Sequence, residues 1–106
     1  MANTYKNAKA DLSTTAVTTL YTCVATATGI VKSILVSEDS GNADTITVTI
    51  TNGSTVYSLF NVKAVGANAT VELLTAPLIV QTGEILKVTA ATANRLHVVA
   101  SILEIT

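Results

Sequence analysis

The sequence predicts an all-β protein, a sandwich or barrel of about eight short antiparallel strands. Three observations predict it. Apolar residues alternate with threonine and serine in short runs, as in "DTITVTITNGSTVYSLF" (residues 44–60), the period-2 signature of half-buried strands. Turn signals recur roughly every 8 to 12 residues, the spacing of sandwiches and barrels. No segment keeps a helical period; "LSTTAVTTLYT" comes nearest, and its density of Thr and Val favours strand.

Each element follows in order. Residues 1–16 are polar and read as an N-terminal arm or edge strand, ahead of a single domain over 17–106. Residues 17–25 read as a strand with Val17, Tyr21 and Cys23 on one side. Gly29 punctuates the chain before "IVKSILVS" (30–37), where Ile30, Ile34 and Val36 share a face with Lys32. "EDSGNAD" (38–44) is a loop by every turn rule. In the hairpin that follows, Ile46, Val48 and Ile50 alternate with threonines up to Asn52-Gly53, the preferred pair for a type I′ turn. A two-residue loop at Asn52-Gly53 sets Val48 opposite Tyr57 and Ile46 opposite Leu59.

"AVGANA" (64–69) is a second loop. "TVELL" and "LIV" are short strands split by Ala76-Pro77, since proline cannot donate to a ladder. "ILKVTA" (85–90) is a strand, and "ATAN" turns the chain into a long final strand over 95–105. Leu96, Val98, Ala100 and Ile102 fit one face of that strand; Val99, Leu103 and Ile105 fit the other. Apolar residues on both faces require cover on both sides. Either a bulge near Ser101 turns Leu103 and Ile105 into the core, or the outer face meets another subunit. Val99, Leu103 and Ile105 are the candidate subunit interface.

Composition sets limits on function. A chain of 106 residues makes one domain with a core that needs no disulfide or metal. Charged residues are 12% of the chain, about half the usual share. A net charge of −1 offers no electrostatic case for nucleic acid or an anionic membrane as partner. No apolar run approaches the ~18 residues of a membrane helix. "MANTYKNAKADLSTT" lacks a hydrophobic signal region, so neither secretion nor lipidation is expected.

No chemistry emerges from the side chains. Cys23 is the one cysteine, which leaves no intramolecular disulfide and points to a buried, inert thiol. A nucleophile needs a base, and the one histidine, His97, has nothing in the sequence to bring it to Cys23. Glu38, Asp39, Asn42 and Asp44 lack the ligand spacing and closing Glu of an EF-hand, so a solvated turn is expected there. Glu72, Glu84 and Glu104 are scattered, and there is no Gly-rich phosphate cradle or CxxC pair. The reading is a non-enzyme without catalytic, cofactor-binding or metal-binding residues. Threonine, at 19 residues, is the commonest type. It hydrogen-bonds without a full charge and loses little rotamer entropy when covered, so its strand faces suit burial in an assembly.

Specific stretches carry a resemblance. "LYTCVATATGIVKSILVSEDSGNADTITVTITNG", "ATVELLTAPLIVQTGEILKVTA" and the ending "VVASILEIT" resemble a pattern of small structural proteins of tailed phages, over residues 17–106. The sequence departs from it at Cys23-Val24-Ala25, where such proteins often carry Val-Pro-Ala. The resemblance implies a jelly-roll-like β-sandwich in the virion, made in the host cytoplasm. It implies a capsid decoration (cement) protein, a homo-oligomer with the trimer as candidate state, bridging major capsid subunits. The alternative within that class is a neck, baseplate or tail-fibre subunit contacting other virion proteins. From another class, a carbohydrate-binding sandwich is opposed by the aromatic inventory: Tyr5, Tyr21, Tyr57 and Phe60, with no Trp to stack on a sugar.

Overall fold

The structure, a computed structural model, describes residues 2–106. It contains strands β1 (Asn3–Leu12), β2 (Thr18–Thr22), β3 (Thr28–Glu38), β4 (Asp44–Asn52), β5 (Thr55–Val65), β6 (Thr70–Glu72), β7 (Leu78–Val80), β8 (Ile85–Ala90) and β9 (Leu96–Ile105). Two antiparallel sheets pack face to face. Sheet A runs β1-β9-β3-β6, with β7 also paired to β3; sheet B runs β2-β8-β4-β5.

The pairing is nested: β1 with β9, β2 with β8, β3 with β6 and β7, and β4 with β5. A long hairpin rolled so that successive pairs fall in alternate sheets is a jelly roll. β6 and β7 together fill one strand position beside β3, on either side of a break that contains Pro77. That break accounts for nine strands where eight positions exist.

Period 2 assigns the core. Leu12, Ile34, Ile46, Leu86, Leu96 and Ile102 are the largest fully buried apolar side chains, drawn from both sheets. Each such burial contributes roughly 1.5–3 kcal/mol relative to exposure. Leu96, Val98, Ala100 and Ile102 all face inward from β9, as their alternation predicts.

Bulges account for most departures from the sequence reading. In β3 the register shifts between Val31 and Ser33, so Gly29 and Val31 point inward before the bulge and Ile34 and Val36 after it. Ile30 and Lys32 therefore lie off the core face that Ile34 and Val36 share. In β2 a shift between Thr19 and Tyr21 buries Leu20 and Tyr21 together, while Val17 stays exposed. The hairpin turn is Gly53-Ser54, not Asn52-Gly53: Asn52 pairs with Thr55 and Ile50 with Tyr57. Gly53 takes φ +62° and Ser54 does not turn positive, the pattern of a type II′ turn with Gly first. Further along β5, extra residues near Leu59 and Val62 set Val48 opposite Phe60 and Ile46 opposite Lys63.

Of the two readings of the N-terminal segment, the edge strand is the one observed: Asn3–Leu12 pairs with β9 along its whole ten-residue length. One further segment differs from expectation. Residues 38–44 are not a merely solvated turn, because Glu38 and Asp44 are buried. The Glu38 carboxylate accepts from the Ser40 hydroxyl and from the N–H groups of Ser40 (2.7 Å), Gly41 (3.0 Å) and Asn68 (3.0 Å). Asp44 accepts from the Thr92 N–H at 3.1 Å. Two carboxylates thus satisfy backbone donors in loops that carry no ladder of their own.

Candidate functional site

The outward side chains of the two sheets differ in character. On sheet B they form rows such as Thr19–Lys87–Thr49–Ser58, with Thr47 opposite Thr89. The threonines noted in the sequence therefore sit on a polar face. Val56 and Val62 are also exposed on β5 of sheet B, but the contiguous cross-strand apolar row is on sheet A. Tyr5 of β1, Leu103 of β9, Ile30 of β3 and Ile79 of β7 are consecutive cross-strand partners in a single row. Tyr5 is 76% exposed and Ile79 49% exposed, with Leu103 and Ile30 half-buried between them. Ile105 is next on the same side of β9, and Val99 and Leu35 form a second apolar pair farther along.

The structure thus places Val99, Leu103 and Ile105 together on the outer face of sheet A. β9 keeps its alternation to the end, with Glu104 in the last inward position. The phase change that the sequence puts near Ser101 lies across the ladder instead, at Lys32 of β3. Leu103 and Ile105 are accordingly not core residues. Tyr5, Ile30 and Ile79 complete the patch. Sequence alone could not group them, because they come from three strands whose order depends on distant pairing.

Charged groups cluster at one end of this face. Lys9 stands opposite Val99. His97 lies between two carboxylates, with Nε2 3.2 Å from Asp11 and Nδ1 3.5 Å from Asp39, all three well exposed. Cys23 is far from this setting: it is buried in the core, and its thiol donates to the Ala27 carbonyl at 3.3 Å. No three His, Cys, Asp or Glu side chains converge as a metal site among the described residues.

One end of the sandwich is closed by a polar cluster. The Tyr21 hydroxyl donates to Glu104 Oε2 at 2.6 Å, and Lys6 lies 3.6 Å from Oε1. Burial, then the bond to Glu104, pushes the Tyr21 phenol well above its usual range. Glu72 bridges the β3 bulge, accepting from the Ser33 hydroxyl, the Ile34 N–H (2.8 Å) and the Leu74 N–H (3.2 Å). Burial alone would raise the Glu72 carboxyl, but these donors outweigh it and hold it below the usual range.

No protein-family model, curated protein or solved structure matches this chain.

Proposed function

We propose that this chain is a non-enzymatic virion structural protein, a capsid decoration subunit that joins copies of itself and the major capsid protein. The observation that carries the assembly reading is the Tyr5–Leu103–Ile30–Ile79 row with Ile105 beside it. Contiguous apolar side chains on a sheet face that the subunit's own chain does not cover mark an interaction site. Lys9, Asp11, His97 and Asp39 lie together at one end of the same face, so the apolar row has a charged border on that side. The virion assignment rests on the strand-and-turn resemblance over residues 17–106.

Quantitative mass spectrometry of purified virions of the phage that encodes the chain tests this function. A copy number that scales with the capsid lattice supports decoration. One ring's worth of copies would move the protein to the neck or tail. Absence from the particles would end the virion reading.

A further inference from the structure

The two sheets part along one side of the sandwich, where β5 of sheet B faces β6 and β7 of sheet A. The opening is a cleft of about 540 Å³, a size typical of small-molecule sites. Leu59, Phe60, Val71, Leu73, Leu74 and Leu78 give it apolar walls. Phe60 and Lys63 sit on the inward side of β5, because their partners across the ladder are the buried Val48 and Ile46. Lys63 lines the cleft yet stays exposed, which leaves its ammonium at the solvent-facing mouth of the apolar walls. Among the described residues no carboxylate pairs with it. The other charged residue of the lining, Glu72, is already committed to Ser33, Ile34 and Leu74.

Neither edge bordering this cleft can template an added strand. β5 is interrupted there by extra residues near Leu59 and Val62. The facing edge is two three-residue strands separated by a break containing Pro77. Bulged and broken edges of this kind block regular ladder pairing, which excludes an extended peptide as the natural occupant. The chemistry that fits is a compact apolar body with one anionic end.

We propose that the cleft binds a medium-chain fatty carboxylate, its tail against Phe60, Leu74 and Leu78 and its carboxylate on Lys63 Nζ. The competing explanation is that Lys63 is an inward charge that guards an edge strand against self-pairing. Titration of the full chain with dodecanoate and with dodecanol, read by amide chemical shifts, separates the two. Dodecanoate is expected to saturate one site, with shifts centred on residues 59–63 and 71–78. Lys63→Gln should weaken dodecanoate by about tenfold or more, the loss of one charge-assisted contact, and leave dodecanol unchanged. Lys63→Arg keeps the cation and should keep the affinity. The proposal is overturned if wild-type chain shows no saturable binding, or if the shifts map to the outer face of sheet A. It is equally overturned if Lys63→Gln binds dodecanoate as well as wild type, whether or not that variant self-associates.

Discussion

The Tyr21 hydroxyl donates a 2.6 Å hydrogen bond to Glu104, tying β2 of one sheet to β9 of the other across the end of the core. Gly29 leaves room for this contact: a Cβ there would lie 2.7 Å from the Tyr21 hydroxyl oxygen. Tyr21→Phe strips a buried carboxylate of its donor and should cost about 1–3 kcal/mol in urea unfolding. Gly29→Ala should cost a similar amount, roughly 1–3 kcal/mol, by displacing a ring held in place by packing. The phenol's folded pKa lies above its unfolded value of about 10, so its stabilisation is complete below that pH and is lost as pH rises further. Tyr21→Phe should therefore remove part of the alkaline loss seen in wild type.

Glu38 governs the acid limb. Burial would raise its carboxyl, but the Ser40 hydroxyl and the N–H groups of Asn68, Ser40 and Gly41 outweigh it and hold it at about 2. The unfolded value, about 4.3, is higher, so the folded state gains from this group above that pH and loses the gain as pH falls toward the folded value. Glu72 shifts in the same direction. Thermal unfolding of Glu38→Gln should show a lower melting temperature at neutral pH and a flatter decline on acidification than wild type. Parallel acid limbs for the two proteins would count against the assignment.

Two β-branched residues take positive φ, Thr26 in the β2–β3 turn and Val62 in β5. Val62 has φ +54°, a left-handed conformation that β-branched residues resist, and its N–H is spent on the Thr47 hydroxyl at 3.1 Å. It is also 60% exposed, so little packing is lost on replacement. Val62→Asn should stabilise by about 1 kcal/mol, raising the melting temperature by roughly 4–8 °C. Gly53→Val at the turn runs the opposite way and should cost on the order of 1 kcal/mol or more. A melting temperature unchanged by either substitution would contradict the turn and bulge geometry.

Much of the fold was legible because it is local. β8 coincides with the "ILKVTA" run, and the inward set of β9 follows from alternation alone. What escaped is what depends on partners across the ladder. The Lys32 bulge is defined only against Ser101 and Ile102, and the two interruptions of β5 only against β4. The sequence leaves β1 open between an arm and an edge strand because Ala8, Ala10 and Leu12 are its only apolar residues facing the interior, too few to decide without β9 beside them. Glu38 read as solvated because one of its donors, Asn68, lies thirty residues away. The site divides in the same manner. Val99, Leu103 and Ile105 stand out within one strand, whereas Tyr5, Ile30 and Ile79 join them only once the sheet order is known.

The central claim is that the outer face of sheet A holds subunits together, and the mass of the Leu103→Lys variant in solution tests it most directly. Light scattering should give the wild-type chain a multiple of its monomer mass. Leu103→Lys should keep the β-sheet circular dichroism of the wild type and run at a smaller mass, because Leu103 lies outside the core. Ile79→Lys and Tyr5→Lys, at the more exposed ends of the same row, should do the same and stand in if Leu103→Lys folds poorly. A wild-type chain that stays monomeric, or folded variants that keep the wild-type mass, would contradict the account.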